Sequence, residues 1–193
     1  MKKKVFGLLL VVPLFLSSCV STKKQKVLSV YVTDSKRVNL LAPSAVEHDV
    51  NVMQMFTGSF SASKKDSMNM IACTECTEEK ISVVMMNELG IEIASLLYSS
   101  SGISLHSSFL PDGVKPEYII MDFQNVYYKP SLLAAEYNTC GLSFTVEKNG
   151  GVERRVIMDG DVVIEMIEKK DKEILLHNYL RGYTYRLTEL DDE

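Results

Sequence analysis

Residues 142–187 read LSFTVEKNGGVERRVIMDGDVVIEMIEKKDKEILLHNYLRGYTYRL, and this stretch decides the fold. Short runs of alternating apolar and polar residues are separated there by turn sequences at regular intervals. Two of these turns contain Asn149-Gly150 and Asp159-Gly160. Such pairs are strong hairpin signals, because both central residues of a type I′ turn need a positive φ. The charged run KKDK and the pair Arg181-Gly182 mark two further turns. The second half of the chain is therefore predicted to be an antiparallel meander.

Strand patterns also dominate the first half of the chain. Residues 50–60, 67–72, 81–86 and 91–98 combine β-favourable residues with partial alternation. The turn-like sequence NELG at 87–90 separates the last two runs. We expect a second group of antiparallel strands here.

A helical pattern lies between the two groups, in residues 110–137 (LPDGVKPEYIIMDFQNVYYKPSLLAAEY). Pro116 suits the first turn of a helix, and Glu117 suits the positive end of the helix dipole. Four apolar residues then follow at spacings that place them on one helix face: Ile119, Phe123, Val126 and Tyr127.

Lys129-Pro130 should end this helix, because the residue before a proline avoids helical backbone angles. Ser131 could cap a second, shorter helix over 132–137. The predicted fold class is α+β: a curved antiparallel sheet covered by one or two helices.

The N-terminal sequence MKKKVFGLLLVVPLFLSSC predicts a secretory signal. Three lysines precede an uncharged apolar run of twelve residues, 5–16, and small residues follow it. That run would span only about 18 Å as a helix, against about 30 Å for a bilayer core. The ending Leu16-Ser17-Ser18-Cys19 resembles the lipobox of bacterial lipoproteins, in which cleavage exposes the cysteine for acylation. The alternative is an ordinary signal peptide that leaves Cys19 free.

These features divide the chain into three parts. Residues 1–18 are the expected lipoprotein signal peptide, 19–26 the lipidated N-terminus and polar tether, and 27–193 a single folded domain. The formal net charge of −4 gives no electrostatic reason to bind nucleic acid. We therefore expect membrane attachment through acyl chains on Cys19, which is the only covalent group expected, with no other cofactor.

The stretches NELGIEIASLLYSSSGISL (87–105), FLPDGVKPEYIIMDFQNVYY (109–128) and GYTYRL (182–187) resemble a family of bacterial lipoproteins known as a domain of unknown function. Members of that family are similar to LolB, the outer-membrane lipoprotein that receives other lipoproteins from the periplasmic carrier LolA. The resemblance covers roughly residues 50–190. It implies a LolA/LolB-like incomplete barrel closed by helices, a location at the outer membrane facing the periplasm, and an apolar cavity for acyl chains.

That cavity would be lined by residues that share strand or helix faces. The ten methionines fit it, because a methionine-rich surface can adapt to ligands of different shape. The predicted lining residues are Phe56, Phe60, Ile81, Met85, Ile93, Leu97, Ile119, Phe123 and Tyr127.

Two functions stay open. The chain binds or transfers a hydrophobic or acylated ligand, with lipoprotein cargo and a periplasmic carrier as partners, or it is a structural or protein-interaction lipoprotein with a filled core.

The sequence offers little for catalysis. His48, His106 and His177 are isolated from one another, and there is no Gly-x-Ser-x-Gly elbow and no phosphate-binding glycine loop. We therefore expect no enzymatic activity, no catalytic residues and no metal site.

The remaining cysteines are Cys73, Cys76 and Cys140. In an oxidising periplasm, Cys73 and Cys76 are expected to form a disulfide that pins a connection between strands, or one of them reaches Cys140. A redox pair or a zinc site fits less well, because a Cys-x-x-Cys redox site needs a βαβ setting and zinc needs about four ligands.

Overall fold

The computed structural model describes residues 27–60, 68–107 and 115–190. The predicted signal peptide, Cys19 and the tether lie outside these residues. The described strands are β1 (Ser29–Tyr31), β2 (Arg37–Asn39), β3 (Val50–Phe60), β4 (Met68–Cys76), β5 (Lys80–Met86), β6 (Glu92–Ser99), β7 (Gly102–Ser107), β8 (Ser143–Asn149), β9 (Val152–Asp159), β10 (Val162–Lys170), β11 (Glu173–Asn178) and β12 (Tyr183–Glu189). The helices are α1 (Pro116–Tyr127) and α2 (Pro130–Thr139), with a short 3-10 turn at Pro43–Ala45.

Ten of these strands form one antiparallel sheet in the order β7-β6-β5-β4-β3-β12-β11-β10-β9-β8. It consists of two meanders, β3–β7 and β8–β12, that meet where the first strand of one pairs with the last strand of the other. There Tyr183 lies opposite Phe60 and Glu189 lies opposite Gln54. The edge strands β7 and β8 do not pair with each other in the described part of the chain, so the sheet is not closed there. The two-stranded sheet β1–β2 is separate.

The hairpin signals of the second half are confirmed. The two-residue loops lie one position later than predicted, because Asn149 and Asp159 are the last residues of their strands and do not have a positive φ. The loops are Gly150-Gly151, with φ values of 57° and 81°, and Gly160-Asp161, in which Gly160 has a φ of 58°. Strand β3 has the predicted bounds, whereas β4 continues past the predicted end to Cys76. The sequence patterns did not predict β1, β2 or β7, which are only three to six residues long.

Helix α1 begins at Pro116 and ends at Tyr127, as predicted. The start of α2 differs from the expectation, because the helix begins at Pro130 and Ser131 lies inside its first turn. Lys129 is the extended residue before it and provides no side-chain cap. Proline at the first helical position has a suitable φ and lacks the amide hydrogen that would otherwise be unsatisfied.

The sheet curves around α1. Ile120 of α1 is fully buried in one apolar cluster with residues from distant parts of the sheet, among them Tyr98 of β6 and Phe144 of β8. Strands near both edges therefore contribute to the same core. The concave side of the sheet faces α1. A second buried cluster contains Val126 of α1 and Leu176 of β11. The predicted curved antiparallel sheet with two helices is confirmed at this level.

Basic side chains from the second meander bind the last turn of α1. Arg155 of β9, which is 5% exposed, donates from Nη1 to the carbonyl oxygens of Asn125 (2.8 Å) and Tyr128 (2.9 Å). Lys169 of β10 donates to the carbonyl oxygen of Val126 at 3.2 Å. The last carbonyl groups of a helix have no partners within the helix and carry partial negative charge, so these cations satisfy and stabilise them.

Replacing Arg155 by alanine should leave two buried carbonyl groups at the end of α1 without donors. We expect Arg155→Ala to lower the free energy of unfolding by about 3 kcal/mol, the cost typical of removing a buried charged partner. Urea unfolding followed by circular dichroism measures this change. Arg154→Ala is the matched control, because the neighbouring Arg154 points to solvent and pairs with Glu168 at 2.7 Å. Equal midpoints for the two variants would contradict the proposed anchoring of α1.

Candidate functional site

A cavity of about 310 Å³ lies between α1 and the concave face of the sheet. Its walls are mostly apolar, and its few polar groups belong to α1, to strands near the centre of the sheet and to the turn before β12. Its lining residues are Gln54, Phe56, Met68, Met70, Ala72, Thr74, Val83, Met85, Lys115, Tyr118, Ile119, Asp122, Phe123, Val126, Tyr127, Arg181, Tyr183, Tyr185 and Leu187.

The helix wall of the cavity is the apolar face that the sequence predicts. Ile119, Phe123, Val126 and Tyr127 all line it. Successive turns of an α-helix place residues at these spacings on one side. Tyr127 also donates a hydrogen bond to Gln54 Oε1 at 3.1 Å, which links the end of this face to β3.

The sheet wall consists of alternate residues on β3, β4, β5 and β12. Residues two apart on a strand point to the same side, so Met68, Met70 and Ala72 of β4 share the concave face. Met85 of β5 lies opposite Ala72 in the strand register and extends this wall. Three of the cavity residues are therefore methionines, whose flexible side chains adapt to ligand shape.

Five of the nine residues predicted for the cavity line it: Phe56, Met85, Ile119, Phe123 and Tyr127. Ile81 is also on the concave face, but it is fully buried in the apolar core, opposite Tyr98. Phe60 pairs with Tyr183 in the backbone register, and its side chain lies outside the described part of the structure.

Ile93 and Leu97 differ from the prediction, because they lie on the other side of β6. Their neighbours Ala94 and Leu96 pair with Met85 and Val83, two cavity residues, and so face the concave side. Leu97 is 40% exposed. The sequence predicts the alternation on β6 correctly, but strand pairing places the opposite set of side chains on the concave face.

One end of the cavity is polar and contains the buried carboxyl group of Asp122 on α1. Tyr183 Oη lies 2.8 Å and 3.0 Å from the two carboxylate oxygens, and Tyr185 Oη lies 3.4 Å from Oδ2. Burial raises the pKa of Asp122 well above its usual range, and the nearby Glu165 raises it further, whereas the hydrogen bond from Tyr183 lowers it. Its neutral acid form is therefore favoured relative to a carboxyl group in water.

Arg181 lies at the same end, in the turn before β12, and its guanidinium is only partly satisfied. Its Nη2 donates to the carbonyl oxygens of Tyr31 and Val32, and its Cζ lies 3.9 Å from the centre of the Tyr118 ring. Its Nη1 is enclosed and has no hydrogen-bond acceptor among the described residues. Lys115 lines the same end, with Nζ 6.0 Å from the centre of the Tyr118 ring.

The second buried acid, Glu165 of β10, belongs to an amide network that adjoins this polar end, because Asn178 also donates to Tyr183 Oη at 3.4 Å. Asn125 and Asn178 donate to its two oxygens at 2.9 Å and 2.8 Å. Tyr137 of α2 donates to Asn125 Oδ1 at 2.9 Å, so the network connects both helices to the sheet. Because every member has a partner, this cluster has a structural role in holding α1.

The predicted disulfide is incompatible with the strand. Cys73 and Cys76 both lie on β4, which is continuous from Met68 to Cys76. Three residues along a strand separate the Cα atoms by about 10 Å, and the two side chains point to opposite faces. A disulfide needs a Cα separation below about 7 Å. Cys73, Cys76 and Cys140 are free thiols, and burial raises the pKa of Cys76 to about 11.

The described residues contain neither a metal-binding cluster nor a membrane-spanning helix. In residues 27–60, 68–107 and 115–190, no group of three or more His, Cys, Asp or Glu side chains is arranged to hold a metal ion. No helix within these ranges is long and apolar enough to cross a membrane.

Comparison with known families identifies the chain. A family model described as "Protein of unknown function (DUF3261)" matches residues 51–191. Because this match covers most of the chain, the protein belongs to that family. No curated protein matches the chain. The expected membership in a family with a domain-of-unknown-function label is confirmed.

The buried carboxyl group of Asp122 should make stability depend on pH. Its pKa is higher in the folded chain than in the unfolded chain, where it is about 3.9. The resulting stabilisation is fully present below about pH 4 and is lost as the pH rises through the folded-state pKa. Asp122→Asn removes the titrating group and keeps its shape.

We therefore expect the free energy of unfolding of the wild type, relative to Asp122→Asn, to fall as the pH rises above about 4. Urea titrations of both proteins at several pH values measure this difference. Glu165 is present in both proteins, so its own titration contributes to both curves. Parallel curves would show that Asp122 ionises as freely in the folded chain as in the unfolded chain.

Proposed function

We propose that this member of the DUF3261 family is a lipoprotein that binds or transfers an acyl chain in the cavity under α1. The observation that carries the proposal is the apolar space of about 310 Å³ between the helix and the concave sheet. This volume lies at the lower end of the range for small-molecule sites. Packed protein cores have few voids larger than a water molecule, so an apolar space of this size is typical of a ligand site.

The dimensions of the cavity fit one acyl chain. It extends along α1 from Tyr118 to Tyr127, which is roughly 14 Å at 1.5 Å per residue. Half of the hydrocarbon core of a bilayer, the depth occupied by one chain, is about 15 Å. A single chain lying parallel to α1 would therefore be covered along most of its length.

The proposed location is the outer membrane, on the side facing the periplasm, with acyl chains on Cys19 as the anchor. A LolB-like incomplete barrel would be consistent with the curved sheet and the two helices that cover it. In this account a periplasmic carrier delivers the acylated cargo. The turn residues Leu89 and Ile91, 82% and 58% exposed, lie at the tip of the β5–β6 hairpin and would meet the receiving membrane.

The alternative is a structural lipoprotein that meets a protein partner and holds no ligand. That function would need a filled core, whereas the apolar face of α1 lines open space. The proposed activity is non-enzymatic, because binding and release of an acyl chain require no covalent step. The tyrosine hydroxyls at the polar end of the cavity are hydrogen-bonded to the carboxyl group of Asp122.

Filling the cavity should abolish binding while the fold is kept. Ala72 is 4% exposed, lies at the middle of the sheet wall and points toward α1. Ala72→Phe places a ring in the space that an acyl chain would occupy. We expect the variant to lose binding of a neutral naphthylamine dye, measured by fluorescence, with a melting temperature close to that of the wild type.

Asn69→Phe is the matched control, because it adds the same ring to the exposed side of the same strand. It should bind the dye as the wild type does. If the site is instead a packed core, Ala72→Phe would cost about 1–3 kcal/mol of stability. That loss, in a protein whose wild type never bound the dye, would contradict the ligand-binding proposal and favour the structural alternative.

The anchor is tested separately from the cavity. Cys19→Ala removes the thiol that would be acylated, so the protein should leave the membrane fraction or accumulate as uncleaved precursor. Immunoblots of membrane and soluble fractions measure this, and an inhibitor of the lipoprotein signal peptidase should cause the wild type to accumulate as precursor. Unchanged membrane partition and processing in both experiments would contradict the lipoprotein assignment.

A further inference from the structure

We propose that the ligand is a single-chain anionic amphiphile, a fatty-acid-like molecule whose carboxylate lies against Arg181 and Lys115. This inference rests on the proposed function and specifies the chemical class of its ligand. It follows from the distribution of polar groups, because the cavity is apolar along α1 and has both of its cationic lining residues at one end.

The guanidinium of Arg181 has unused capacity for hydrogen bonding. Its Nη2 is held by the carbonyl oxygens of Tyr31 and Val32, whereas Nη1 has no acceptor in the part of the chain that the structure describes. Arg181 also makes no ion pair with a described carboxylate, although Asp122 and Glu165 are both close enough to interact with it electrostatically. Buried guanidinium groups are normally paired with anions, and carboxylates match their planar geometry.

The contacts of Arg181 also fix its position at the cavity. The guanidinium stacks 3.9 Å from the centre of the Tyr118 ring, and Lys115 approaches the same ring at 6.0 Å. Both residues line the cavity beside the first turn of α1, where the helix dipole is positive. A carboxylate there would meet two side-chain cations and the positive end of a helix.

Asp122 is the lining residue that would oppose an anion. Its oxygens accept hydrogen bonds from Tyr183, and its raised pKa favours the neutral acid. The second acid, Glu165, interacts electrostatically with Arg181 but does not line the cavity; both of its oxygens are held by asparagine amides, and burial raises its pKa. The polar end therefore has a net preference for negative charge in the ligand.

The position of the cations also sets the orientation of the chain. With its carboxylate at Arg181, an acyl chain would extend along Ile119, Phe123 and Tyr127, beside the methionines of β4 and β5. A triacylated lipoprotein N-terminus has no carboxylate at the branching point of its chains. Such cargo would leave Arg181 unsatisfied, so charge in the ligand distinguishes the two ligand classes.

The test compares two ligands of equal chain length, oleate and oleyl alcohol, on the purified full chain. Each competes with the neutral naphthylamine dye, and the displacement curves give their affinities. Charge-assisted hydrogen bonds are stronger than neutral ones, so we expect oleate to bind at least about tenfold more tightly, or about 1.4 kcal/mol. Arg181→Gln should remove this preference and leave the affinity for oleyl alcohol unchanged.

Arg186→Gln is the matched control, because Arg186 lies on the opposite face of β12, 53% exposed at its side chain, and pairs with Glu173. It should keep the preference for oleate. If Arg181→Gln lowers the melting temperature, the Lys115→Gln variant provides the test instead. Lys115 is exposed, so this variant should reduce the preference for oleate without unfolding the chain.

The outcomes separate this inference from the proposed function. Equal binding of oleate and oleyl alcohol by the wild type would overturn the anionic ligand and leave an acyl-binding cavity. A preference that survives in both Arg181→Gln and Lys115→Gln would also overturn it. Binding of neither ligand would overturn the proposed function itself.

Discussion

The position of α1 on the concave sheet is the constraint on which the rest of the structure depends. This helix carries three buried polar residues, Asp122, Gln124 and Asn125, which are unusual in a helix that covers a core. Gln124 accepts a hydrogen bond from the amide of Leu41 and donates one to its carbonyl oxygen, at 3.0 Å and 2.7 Å. Arg155 holds the last turn. Directional hydrogen bonds therefore fix the helix, and its apolar face need not be packed tightly against the sheet to hold it there.

The same arrangement explains why the cavity has one polar end. Tyr183 and Tyr185 project from β12 to Asp122, while the neighbouring turn brings Arg181 to Tyr118. Because β12 is the last strand of one meander and pairs with the first strand of the other, the cavity lies where the two halves of the sheet meet. Groups distant in sequence are thus brought together at a single end of α1.

The sequence patterns predicted the elements that have strong local signals and failed where long-range pairing decides. Asn149-Gly150 and Asp159-Gly160 predicted the hairpins, and the spacing of Ile119 and Phe123 predicted the helix face. The face assignment of Leu97 was wrong because strand pairing decides which alternate set points inward. The cysteine spacing in Cys73-Thr74-Glu75-Cys76 predicted a disulfide at a connection between strands. The alternation of buried and partly exposed residues instead shows that strand β4 continues through these four residues. Arginine in a turn usually points to solvent, so no local signal indicated Arg181; the aromatic alternation of Tyr183 and Tyr185 was the nearest clue.

The central claim is that the space under α1 holds one acyl chain, and the most direct measurement is a mass spectrum of what the protein carries. Protein purified from its membrane without added fatty acid would be extracted with solvent, which releases noncovalently bound lipid and leaves any chains on Cys19 attached. This account predicts about one equivalent of single-chain lipid per protein chain, and much less from the Ala72→Phe variant. An extract free of lipid, or equal lipid from both proteins, would contradict it.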